Sequence, residues 1–174
     1  MKNTAIVTIL LASLWASDMA SAATFAGINL PDRYQLNNID LQLNGQGMRK
    51  KFFFSIYVGA FYTPATVNTA SEAMNPDMPK VIRMHFVYDE VSAEKLRDGF
   101  AESMDMNVPG FSNSEVAGQF LNLFNFSARN GETIDLQFAP GGVLTVTHQG
   151  NKLGSITSAE LCRAVLSIYF GDEP

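Results

Sequence analysis

The chain has 174 residues, a formal charge of −5 and one cysteine, Cys162. The acidic balance argues against nucleic acid, or an anionic membrane surface, as main partner. A lone cysteine excludes an intrachain disulfide, so stability has to come from packing, a task that thirteen phenylalanines suit.

The chain opens MKNTAIVTILLASLWASDMASAA. Lys2 and the amino terminus are positive, Ala5 to Ala16 form a short apolar core, and Ala20-Ser21-Ala22 supplies the small residues a signal peptidase reads. Residues 1–22 are therefore expected to be a secretory signal peptide. The apolar core is too short for a membrane span, and no later segment reaches the needed length. The flanks have a bacterial look, which makes the periplasm the expected address. Residues 23–174 then form one domain, of a size that buries roughly 70% of its unfolded surface.

Asp40-Leu41-Gln42-Leu43 alternates polar and apolar residues, the pattern of a half-buried strand. Asn44-Gly45 is a short-range hairpin signal, which makes Met48 to Tyr62 the returning strand, ended by Pro64. Asn68 to Pro79, with two prolines and several small polar residues, reads as a loop. Lys80 to Tyr88 is another strand. Ser92 is placed to cap a helix with Leu96, Phe100 and Met104 at four-residue spacing, stopped by Asn107-Val108-Pro109-Gly110. Ser112 and Glu115 have capping-box spacing before the stripe Val116, Phe120, Leu123 and Phe124, and Asn130-Gly131 breaks that helix. Glu132 to Phe138 and Val143 to His148 are predicted strands joined by a turn at Ala139 to Gly142. A turn at Gln149-Gly150-Asn151 leads into Leu153 and Ile156. Thr157 and Glu160 form a second capping box, before a helix carrying Leu161, Val165 and Ile168. This order predicts an α+β fold, a large antiparallel sheet with helices layered on one face.

The common catalytic sets are missing. His85 and His148 lie on separate predicted strands, with no cysteine pair and no HExxH spacing, so no metal site is expected. No glycine-rich phosphate loop and no GxSxG elbow occurs, and no cofactor is expected. Cys162, beside the apolar stripe of the last helix, reads as a buried, inert thiol.

The long strand carries the one arrangement with chemical promise. Taken as a single strand, its even positions from Phe52 to Ala60 are all apolar and read as a core face. Its odd positions set Arg49, Ser55, Tyr57 and Gly59 along one surface. That mixture suits an amphipathic small molecule, and the planar fork of Arg49 matches a carboxylate. A solvated strand end at Arg49-Lys50-Lys51 is the plainer alternative, and spacing alone favours it.

The segments LNGQGMRKKFFFSIYVGAFYT, LQFAPGGVLTVTHQGNKLGSI and AELCRAVLSIYFGDEP together resemble the chalcone isomerase-like family, in particular its exported bacterial branch. The resemblance implies an open-faced sheet with a helical layer and a ligand cleft between them. It implies two activities: closure of a hydroxychalcone to a flavanone, or non-catalytic holding of a fatty acid. Both use an arginine where this chain has Arg49. The isomerases add a strand threonine about where Tyr57 falls. They also carry a helix tyrosine and asparagine, which map onto Ser92 and Gly99. With those phenol and amide groups absent, the resemblance implies an exported binding protein for a fatty acid or similar apolar anion. Arg49 would sit on the anionic head, and Ser55 and Tyr57 would be candidates for further hydrogen bonds. An isomerase or intramolecular lyase of the chalcone–flavanone type is the alternative, with Arg49 its catalytic candidate. A structural or interaction protein of the cell envelope is the third.

Overall fold

The computed structural model describes residues 22–174; the expected leader lies outside them except for its last residue. Eleven strands and four helices are present among the described residues. Three short strands come first, β1 (Ala22–Phe25), β2 (Ile28–Pro31) and β3 (Arg33–Leu36). They are followed by the long pair β4 (Ile39–Lys51) and β5 (Phe54–Thr63). After the one-turn helix α1 (Ala70–Ala73) come β6 (Lys80–Phe86), β7 (Glu90–Val91) and α2 (Ala93–Asn107). Then follow α3 (Glu115–Leu121), β8 (Ala128–Arg129), β9 (Thr133–Ala139), β10 (Val143–His148), β11 (Asn151–Thr157) and α4 (Ala159–Phe170).

Seven strands form one sheet in the order β11-β10-β9-β6-β5-β4-β3, with every pairing antiparallel. This is the predicted fold class. Alternation sorts the side chains into two cores. On one face Phe61, Ile82, Met84, Ile134 and Leu136 meet Leu96, Phe100, Phe120, Phe124 and Val165 from the helical layer. Three phenylalanines lock that layer, with ring centroids 4.7 Å apart for Phe100–Phe124, 5.1 Å for Phe120–Phe124 and 5.2 Å for Phe100–Phe120. On the other face Val58, Ala60, Tyr62 and Val81 are buried with Leu30, Leu36 and Leu41.

That second face also holds a charged network. Asp135, 2% exposed, accepts from Arg83 Nε at 2.7 Å and Nη2 at 2.8 Å, and from the Tyr34 hydroxyl at 3.0 Å. Gln137 donates to Tyr34 at 2.7 Å, and the Arg83 guanidinium lies 5.0 Å from the Tyr34 ring centroid. Burial first, then the Asp135 charge, pushes the Tyr34 phenol up to about 12.

Several local expectations are corrected. Asn44-Gly45 is not a turn. It lies inside β4, at a register shift between Leu43 and Gly45, because an extra residue in a strand tolerates the same sequence as a turn. The hairpin turns at Phe52-Phe53, where Lys51 pairs with Phe54. The apolar even face therefore stops short: Val58 and Ala60 are buried, but Phe52 is 85% and Phe54 57% exposed. The predicted loop at 68–79 contains α1, held by a true capping box between Thr69 and Glu72. The other two boxes are displaced. Ser114 caps α3 and Ser158 caps α4, while Ser112 bonds to the Asp105 carboxylate at 2.6 Å. α3, the helix predicted to run on to Asn130, ends at Leu121, so buried Phe124 packs from the segment beyond it.

Candidate functional site

The β4–β5 hairpin brings the candidate groups together, but by pairing two strands rather than by alternation along one. Arg49 on β4 is the ladder partner of Tyr57 on β5. The pair stands at one end of a cavity of about 470 Å³ between the helix-side face of the sheet and the end of α4. Its β4 wall runs from Asn44 to Arg49, and β5 contributes Tyr57, Gly59 and Phe61. Ile82, Ile168, Tyr169 and Phe170 complete an apolar wall. The volume falls within the roughly 300–1,000 Å³ typical of small-molecule sites.

Bare backbone makes the space. A Cβ built on Gly45 or Gly47 would meet nothing within 4 Å, so both glycines border open volume. At Gly59 a Cβ would touch the Gly47 carbonyl oxygen and the Tyr57 ring edge at 3.7 Å, ordinary contact. Asn44, displaced from the ladder, fixes the rim. Its amide accepts from Val67 N–H at 2.8 Å and donates to the Val67 carbonyl at 3.1 Å. The paired rings of Phe61 and Phe170, 4.7 Å apart, tie the sheet to α4.

Arg49 is exposed at the cavity mouth. Among the described residues its one side-chain hydrogen bond is long, Nη2 to the Ser103 hydroxyl of α2 at 3.5 Å. Among the described residues it has no carboxylate partner, whereas neighbouring Lys51 pairs with Glu102 at 3.3 Å. Most of the five guanidinium donors are therefore free for an anion. Behind it, burial raises the Tyr57 phenol above its ordinary value, with the Tyr169 hydroxyl and the Arg49 charge pulling the other way. Burial, then Tyr57, raises Tyr169 well above the usual range. Both phenols stay neutral at pH 7 and so do not repel an anion; the Tyr169 hydroxyl donates to Met84 Sδ at 3.4 Å.

Ser55 sits opposite Lys50, one step toward the hairpin tip, and is not part of the cavity wall. Ser92 is the α2 cap, accepting from Lys95 N–H at 3.3 Å. Gly99 presents no side chain on the same helix. Strand alternation carries no signal for Tyr169 and Phe170, which reach the cavity from α4. Their signal was the aromatic end of AELCRAVLSIYFGDEP, beyond the helix's apolar stripe.

Other groups are structurally committed. His148 meets Glu132 at 3.0 Å and stacks on Phe126 with 4.0 Å between ring centroids. No group of three or more His, Cys, Asp or Glu side chains is placed to hold a metal ion among the described residues. A smaller cavity, about 240 Å³, lies beside Lys80 and Cys162. There Lys80, 1% exposed, donates to the Ala73 and Asn75 carbonyls, both at 2.6 Å. Burial brings its amine down to about 8 and pushes the Cys162 thiol up to about 11.

A family profile described as chalcone isomerase-like matches residues 22–174. The chain belongs to the chalcone isomerase-like family. It is 35% identical over 108 residues to fatty-acid-binding protein 1 of Arabidopsis thaliana; the match covers 59% of this chain and 39% of that relative. The chain thus spans about two-fifths of that relative's length. The crystal structure of an Arabidopsis thaliana fatty-acid-binding protein superposes with a TM-score of 0.70 at 26% identity, covering 88% of this chain and 91% of that one. The predicted sheet with its helical layer is thus the fold this family has.

Proposed function

We propose that this chalcone isomerase-like protein binds a fatty acid or similar apolar anion without chemical turnover, and that it does so after export to the periplasm. The observation that carries the reading is Arg49. It is an arginine without a carboxylate partner among the described residues, set at the mouth of a cavity whose walls are Gly59, Phe61, Ile82 and Ile168. A carboxylate there takes charge-assisted hydrogen bonds, and each methylene buried behind it adds about 0.8 kcal/mol. The name of the Arabidopsis relative, matched both in sequence and in structure, points the same way. The leader-like residues 1–22 support the location.

Calorimetric titration with saturated fatty acids tests the reading. Affinity should rise with chain length until the cavity is filled. Arg49→Ala should weaken it by about 1.5–3 kcal/mol, the worth of a hydrogen bond to a charged group. The matching long-chain alcohol should bind the wild type no better than the acid binds the variant. Absence of binding across the series would overturn the reading.

A further inference from the structure

The tip of the β4–β5 hairpin breaks three ordinary rules at once. A two-residue turn usually carries glycine, asparagine or aspartate, yet this one is Phe52-Phe53. Phe52 has φ +55°, a left-handed conformation that bulky side chains rarely adopt. And the rings are exposed, Phe52 at 85%, Phe53 at 98% and Phe54 at 57%, the last still edge-to-face with the Tyr88 ring, 5.7 Å between centroids. Strain and exposed apolar surface together mark a functional segment rather than a packing one.

The charges beside the tip say what it meets. Arg49, Lys50 and Lys51 adjoin the aromatic run, so three of the twelve Lys and Arg residues of an acidic chain stand at this one point. Lys50 is exposed with no salt bridge among the described residues, and the Lys51–Glu102 pair is open to solvent on both sides, where such pairs contribute little. Aromatic rings beneath a collar of long cationic side chains fit a bilayer interface. The rings enter the headgroup boundary, and the lysines stretch back to lipid phosphates. The net negative charge does not forbid this, because it is screened beyond about 8–10 Å. A protruding tip of three side chains is also too small for a stable protein interface, which buries about 800 Å² per partner.

We infer that the Phe52-Phe53-Phe54 tip, with Lys50 and Lys51, docks the protein onto anionic lipid bilayers. The same hairpin carries Arg49 and Tyr57, so docking sets the cavity mouth beside the lipid from which an apolar anion would be drawn. Only that last consequence rests on the fatty-acid reading. The docking stands or falls separately.

A tryptophan at the tip reads it directly. In the full chain the native Trp15 is replaced, giving W15F/F53W, and the protein is mixed with vesicles of phosphatidylcholine with or without phosphatidylglycerol. The expected result is a blue-shifted emission, quenched by brominated acyl chains and stronger with phosphatidylglycerol. Lys50→Gln and Lys51→Gln should each weaken vesicle partitioning roughly fivefold, and Phe52→Ser about tenfold. Circular dichroism should be unchanged, since every altered side chain is exposed or outside the described fold. Emission indifferent to vesicles overturns the inference. So does a shift that follows protein concentration without lipid, which would make the tip a contact between copies. Because the readout sits at position 53, membrane attachment through the leader alone leaves it unquenched and also counts against the inference.

Discussion

Replacing Asp135 by asparagine keeps the shape of its side chain and removes its charge. Asp135 is 3% exposed at its side chain and holds Arg83 through two hydrogen bonds of 2.7 and 2.8 Å; Arg83 itself is 21% exposed. Breaking a buried ion pair on one side costs roughly 3–5 kcal/mol, because the remaining charge is left uncompensated. Partial access of Arg83 to water pulls that toward the lower end. The Tyr34 hydroxyl, 3.0 Å from Asp135, keeps an acceptor only if the new amide turns its oxygen that way, at the expense of Arg83. We expect a loss of about 3 kcal/mol, which for a domain of this size lowers the melting temperature by about 6–12 °C. Urea unfolding at pH 7, followed by far-ultraviolet circular dichroism, measures it. The double variant Asp135→Leu with Arg83→Met should recover most of the loss, because apolar pairs often replace buried ion pairs without penalty. A cost below about 1 kcal/mol for Asp135→Asn, or a double variant as unstable as the sum of its singles, would refute the reasoning.

Three further outcomes follow from other sites. Gly142 has φ +74°, and a Cβ there would lie 2.8 Å from the Ala159 nitrogen at the start of α4, while Gly150, φ +76°, has open space around it. Gly142→Ala should therefore cost roughly 2 kcal/mol or more and Gly150→Ala only about 1 kcal/mol of backbone strain, by the same unfolding assay. Lys80 releases its proton near pH 8 when folded, against an ordinary 10.5. Between those values the unfolded chain holds more protons, so wild-type stability measured relative to Lys80→Met should rise from about pH 8 to pH 10; a flat or falling difference would count against the burial of its charge. Cys162, with its thiol pushed up to about 11, should react with a disulfide reagent at pH 8 only after urea unfolding, and reaction at the rate of a free peptide thiol would place it at the surface.

What the sequence made legible follows local chemistry. The helix from Ser92 to Asn107 was readable because cap, four-residue stripe and Pro109 agree. The pair β9 and β10 was readable because alternation and a Pro-Gly-Gly turn agree. The β4–β5 hairpin misled because its strongest turn signal, Asn44-Gly45, serves as a strand irregularity, while its real turn is built of phenylalanines. The first three strands are not among the predicted elements, although Asn37 and Asn38, with φ +48° and +66°, form the kind of turn that joins β3 to β4. Arg49 was separable from Lys50 and Lys51 only by family pattern. Its pairing with Tyr57, and the α4 aromatics across the cavity, depend on a register and a tertiary packing that spacing does not encode.

The most direct test of the account is a crystal structure of the protein with palmitate. The carboxylate should lie within hydrogen-bond distance of the Arg49 guanidinium, with the acyl chain passing Gly59 and Phe61 toward Ile168. Palmitate lodged instead beside Lys80 and Cys162, or bound with Arg49 unengaged, would contradict it.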